Sequence, residues 1–283
     1  MVTPSAAGQN SFISRYSVPA FFVTAYAFSW TIGGLLIADH QGLLSVPQAL
    51  HYVSAFGPAA AALIVTAVVD GQAGVADLQR RITRANVGAR WWLIGLGTPL
   101  ALGLAAVLVY ALSSGALPDI GLFGQVDYLG NVGVLAALAL WIATYGFGEE
   151  IGWRGFAFHR MEQGGWVRAA VLVGVLWGLW HLPYFFYKKN FIALGAGGFV
   201  FYLVSITMGS VLLSWMYRGS GRSILLVALW HGLFDFVSAS PVAEGIGSAV
   251  ISGAVIVWVI VILQRAAQSD ASSAGAPTDQ AKG

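Results

Sequence analysis

Long apolar runs separated by short polar stretches set the pattern of this chain. A membrane-spanning helix needs about 20 mostly apolar residues. Eight segments meet that need: Val18–Ala38, Leu50–Val69, Trp91–Leu112, Leu129–Phe147, Ala169–Tyr187, Phe199–Tyr217, Ser223–Ser240 and Ile246–Leu263. The runs are continuous and do not alternate, which excludes the short alternating strands of a membrane β-barrel. Only Arg218–Arg222 separates the sixth segment from the seventh, so the two are predicted to form a tight helical hairpin. The first run is too long for the core of a leader peptide, and no small-x-small pattern follows it at Asp39, so it reads as a retained span. Within the polar stretch Gly71–Arg90, Ala76–Ile82 is expected to form a short surface helix whose arginines meet anionic headgroups.

Composition agrees with the pattern. Of 283 residues, 58% are hydrophobic and 9% charged, where a soluble domain has about 25% charged. That excludes an ordinary cytosolic enzyme, a disordered chain and a nucleic-acid binder. The fold class expected is an all-α polytopic membrane bundle of about eight helices. With no cysteine there is no disulfide, thiolate ligand or thiol nucleophile. The 36 glycines suit helices that pack closely in lipid, and Gly174–Gly178 forms one GxxxG.

The distribution of charge predicts orientation. With the N-terminus in the cytoplasm and eight spans alternating, twelve of the fourteen Lys and Arg residues fall on the cytoplasmic side, leaving Lys188 and Lys189 outside. Both termini are therefore expected in the cytoplasm, with the protein in the cell membrane. Residues 1–265 read as one membrane domain and 266–283, rich in Ala, Ser, Gly and Gln, as a disordered tail.

An ionisable group at membrane depth is costly, which makes it a functional candidate. Three places qualify. At the end of the fourth span, Glu149 and Glu150 are followed by Arg154. In a helix Glu150 and Arg154 are i,i+4 neighbours in the favourable order, and Glu149 points elsewhere. In the fifth span His181 lies between apolar residues, two positions before the helix-kinking Pro183. In the seventh, His231 and Asp235 share one helix face. Each has a bland alternative: a capping acid pair, a buried histidine bonded to a neighbouring helix, a His–Asp tie between helices.

Depth links the three. Measured from the nearest arginines, they lie about 16, 20 and 13 Å from the cytoplasmic surface, so they are expected to converge in a cavity opening toward the cytoplasm. His40, His51, His159, Asp119 and Asp127 read as solvated. A carboxylate beside an imidazole activates water, and a second histidine with a carboxyl partner stabilises an oxyanion. Proton-coupled transport and a catalytically silent scaffold are rival uses of the same residues.

These motifs resemble a known family. Glu149-Glu150-xxx-Arg154, Trp177-xxx-His181 and His231-xxx-Asp235, in that order, look like the EExxxR, FxxxH and HxxxN/D motifs of the CAAX amino-terminal (CPBP) intramembrane proteases. The resemblance covers about residues 140–240, with Trp177 in place of the family's Phe. It implies a type II CAAX prenyl endopeptidase-like helical bundle that hydrolyses a peptide bond in a membrane-associated or lipidated peptide. It implies Glu149 as the base that activates water, His181 as its assistant, His231 and Asp235 as oxyanion stabilisers, and Glu150 with Arg154 as helix braces. Members of the family are described both as metalloproteases and as metal-free glutamate proteases. Here His181 and His231 with Glu149 or Asp235 are the expected ligands of any Zn²⁺, and the metal-free account is preferred because no third histidine is at hand. Many bacterial members are linked to bacteriocin immunity, which supplies the silent alternative.

Overall fold

The computed structural model describes residues 16–274. Its eight helical segments are α1 (Ser17–His40), α2 (Leu50–Ile82), α3 (Ala89–Ser114), α4 (Val134–Gly164), α5 (Trp166–Phe186), α6 (Lys189–Gly219), α7 (Ile224–Ser238) and α8 (Ile246–Ala274). All except α7 are long and apolar enough to cross a bilayer. The protein is an all-α integral membrane protein, as its pattern predicts. The expected seventh span is shorter than its apolar run. The Ser223 hydroxyl caps its start by accepting from the Leu226 amide, and a Pro241–Ala243 turn follows its end. At 15 residues it extends about 22 Å, against about 30 Å of hydrocarbon. α8 runs into the stretch read as a tail, and residues 275–283 lie outside the described residues.

Lipid offers apolar side chains no reason to leave it, so helices associate through close packing and polar contacts. α5 and α6 show this along the GxxxG. A Cβ on Gly174 would lie 2.8 Å from the Thr207 Cα, and the Ser210 hydroxyl donates to the Ala170 carbonyl at 2.7 Å. α4 and α7 meet equally closely, since a Cβ on Gly232 would stand 2.5 Å from the Ile142 Cα. α3 packs loosely and turns Leu100, Leu104, Leu108 and Leu112, one turn apart, outward to lipid.

α2 breaks at Gly71 (φ 63°, ψ −156°). The part beyond the break contains the expected surface helix Ala76–Ile82. Arg81 anchors it, donating to the Gly155 carbonyl at 2.6 Å and the Tyr217 hydroxyl at 2.7 Å. Arg84 donates to the Gly221 carbonyl, Arg222 pairs with Glu162 at 2.8 Å and Arg160 pairs with Asp70. These contacts gather the arginines at one end of the bundle. At the opposite end Lys188 pairs with Asp127 at 3.0 Å. Asp127 sits in the turn of a small hairpin, β1 (Gln125–Val126) and β2 (Gly130–Asn131), in the α3–α4 connection.

Candidate active site

The site is built around an irregular stretch of α4. The helix widens into π turns at Ile142–Glu149 and again at Trp153–Phe158. Such turns shift the register of side chains and recur at functional sites. Glu149, the last residue of the first π turn, and Glu150, which follows it, are both buried, at 1% and 0% exposure.

The two carboxylates have different partners. Oε2 of Glu149 accepts from two indoles, Trp153 Nε1 at 3.2 Å and Trp177 Nε1 at 2.5 Å. Oε1 of Glu150 accepts from Arg154 Nη1 at 2.7 Å, the expected i,i+4 pair. The same oxygen also lies 2.9 Å from His231 Nδ1 on α7. Glu150 therefore does more than brace its own helix: it ties α4 to the histidine of a neighbour. The Arg154 guanidinium lies 4.6 Å from the centre of the Trp177 ring, a cation–π contact in a buried setting.

His181 follows the last residue of the α-helical part of α5, which ends at Trp180 and passes into a 3₁₀ turn containing Pro183. Its Nδ1 lies 2.9 Å from the Trp177 carbonyl. A carbonyl only accepts, so Nδ1 carries the hydrogen and Nε2 keeps its lone pair. His231 and Asp235 share a face of α7, with Nε2 to Oδ2 at 3.5 Å. His231 thus stands between two carboxylates, Glu150 at one ring nitrogen and Asp235 at the other.

Glu149, His181, His231 and Asp235 all line one cavity of about 420 Å³, together with Trp177, Tyr184 and Lys188. The convergence expected from depth is present, but no arginine lines the cavity, whereas Lys188 and Asn190 at the opposite end do. Trp153, Phe156, Phe158, Tyr217, Ile224 and Leu226, none more than 2% exposed, fill the arginine-side half of the bundle. Two clefts at the arginine end, lined by residues such as Arg81 and His159, include none of the four site residues.

The residues do not fit the expected zinc set. Among the described residues no group of three or more His, Asp or Glu stands together as metal ligands. His231 faces a carboxylate at each nitrogen, His181 commits Nδ1 to a backbone carbonyl, and one Glu149 oxygen is held by two indoles.

His51 was expected to be solvated and is fully buried. Its Nδ1 and Nε2 each lie 2.7 Å from a tyrosine hydroxyl, Tyr187 and Tyr145 respectively. The Tyr128 ring packs on it from the α3–α4 hairpin, with centroids 5.5 Å apart, a cover supplied by residues distant in sequence. The indole donors to Glu149 were also missed as site residues. Their sequence signal was slight: Trp153 lies one turn beyond Glu149, and Trp177 stands where the family motif has Phe.

The fold and site define an integral membrane protein with a buried carboxylate–histidine centre inside the bilayer. Residues 131–237 match the family model described as type II CAAX prenyl endopeptidase Rce1-like. This stretch, which is similar to that family, holds all four of the expected catalytic residues that line the cavity. The CAAX prenyl protease 2 of Methanococcus maripaludis is 28% identical over 138 residues, 47% of this chain and 49% of that protein. The match therefore spans about half the length of each.

Proposed function

We propose that the protein is an intramembrane endopeptidase acting on a membrane-associated or lipidated peptide. The observation that carries this reading is the single cavity lined by Glu149, His181, His231 and Asp235 at membrane depth. Glu149 is the general base. With Oε2 fixed by two indoles, its other oxygen takes a proton from water as that water attacks the scissile carbonyl carbon. His181, with its Nε2 lone pair, orients the water. The carbonyl oxygen becomes an oxyanion, and the carbonyl π bond opens as the new C–O bond forms. His231 donates from Nε2 to that oxygen, displacing the long contact to Asp235, while Glu150 holds the ring at Nδ1. The tetrahedral intermediate then collapses: the C–N bond breaks and Glu149 returns its proton to the leaving amine. No step runs through a metal, because the donor set does not fit one. The protein lies in the cell membrane with both termini cytoplasmic, a reading supported by the arginine asymmetry.

The test is hydrolysis by purified protein of a pool of lipidated and unlipidated peptides. Wild type, Glu149→Gln and His231→Ala run side by side, each with and without a chelator. Wild-type cleavage that resists chelation and is lost in both variants is the expected result. Cleavage equal in all three removes the site assignment, and loss on chelation overturns the metal-free mechanism.

A further inference from the structure

The cavity's lining runs along α6 and α8 past the exposed Phe201, and its polar rim lies at one end of the bundle. Its outer residues include Lys188 and Asn190, where α5 passes to α6, Ser238 at the end of α7, and Ser248 in the first turn of α8. All of these lie at the end marked by the Lys188–Asp127 ion pair, and no arginine lines the cavity. At the other end, Trp153, Phe158 and Tyr217 are fully buried and none of them lines the cavity. The short α7 adds to the asymmetry. Its roughly 22 Å begin beside Arg222 at the arginine end and stop short of the opposite hydrocarbon boundary. The polar residues of its last turn, Asp235 and Ser238, thus line the cavity below the general membrane surface.

Charge says which side this is. Lys and Arg are retained on the cytoplasmic side of short loops. The arginines near α2, α4, α6 and α7 bind carbonyls and carboxylates of one another's segments at a single end, so that end is cytoplasmic. We infer that the site is entered from the non-cytoplasmic face, and that its substrates are polypeptide segments already translocated or anchored on that side. The direction of entry is independent of the chemistry; the statement about substrates rests on the protease reading.

The chain has no cysteine, so single cysteines report exposure without background. Asn190→Cys and Ser248→Cys mark the mouth, and Gln163→Cys, exposed beside Glu162 and Arg160, marks the arginine end. Each is treated with a membrane-impermeant maleimide in sealed right-side-out and inverted vesicles, with detergent-opened vesicles as the reference for full labelling. The expected result is mouth labelling in right-side-out vesicles only and Gln163→Cys labelling in inverted vesicles only. The reverse pattern, or mouth cysteines reached only from the inverted side, overturns the inference. Peptide hydrolysis by right-side-out but not inverted vesicles then checks the substrate side. Correct labelling without hydrolysis by wild type in either vesicle refutes the protease reading and leaves the direction of entry standing.

Discussion

The Trp177 indole donates to Glu149 Oε2 at 2.5 Å, bridging α5 and α4 across the centre of the site. The related motif has Phe at this position, and a phenyl ring fills similar space without a donor. Trp153 binds the same oxygen from one turn along α4. The carboxylate is thereby held from two helices, and the Trp177 ring also receives the Arg154 guanidinium.

Replacing Trp177 by Phe keeps the ring and removes the N–H. Hydrogen bonds to charged groups contribute about 1.5–3 kcal/mol, equivalent to about 10- to 100-fold in rate. The expected outcome is a fall in kcat of that order with KM nearly unchanged, measured on a cleaved peptide. Separately, the ¹⁵N–¹H indole resonance assigned to Trp177 should move in Glu149→Gln. An unmoved resonance contradicts the hydrogen bond whether or not the protein is active.

Glu149→Gln is nearly isosteric and removes the base. Activity should drop by at least about 10²-fold, the lower range for general base catalysis. Circular dichroism and the unfolding midpoint should stay close to wild type, since an amide oxygen still accepts from both indoles. A large fall in midpoint would assign Glu149 a structural role instead.

The Glu150–Arg154 pair is fully buried. Removing one partner of such a pair costs about 3–5 kcal/mol, whereas replacing both by apolar residues of similar volume is near neutral or stabilising. Arg154→Met should therefore destabilise strongly in a denaturation assay, and Glu150→Leu with Arg154→Met should recover most of the loss. The double variant should remain inactive, because His231 has lost its acceptor at Nδ1. Recovery of both stability and activity would exclude the proposed hold on His231.

His51 joins Tyr145 of α4 and Tyr187 beyond α5. His51→Phe leaves two buried hydroxyls without that partner, each costing about 1–3 kcal/mol. The unfolding midpoint should fall, while Tyr187→Phe alone should have a smaller effect. Equal stability of His51→Phe and wild type would show the cluster to be exchangeable with water.

Much of this protein follows from local sequence. Apolar run length predicted eight spans, and seven of those helices are long and apolar enough to cross a bilayer. Fixed helical spacing paired Glu150 with Arg154 and His231 with Asp235. Net charge along the loops separated the two ends. Tertiary structure decided what sequence spacing does not encode. α7 is cut short by its cap and the turn at Pro241. Glu150 reaches His231 only because α4 and α7 approach at Gly232. His51 is buried because a hairpin and two tyrosines remote in sequence close over it. No arginine lines the cavity, because aromatic side chains from α4 and α6 are buried in the arginine-side half. Distance along one helix measures depth; which neighbours occupy that depth is a property of the packed bundle.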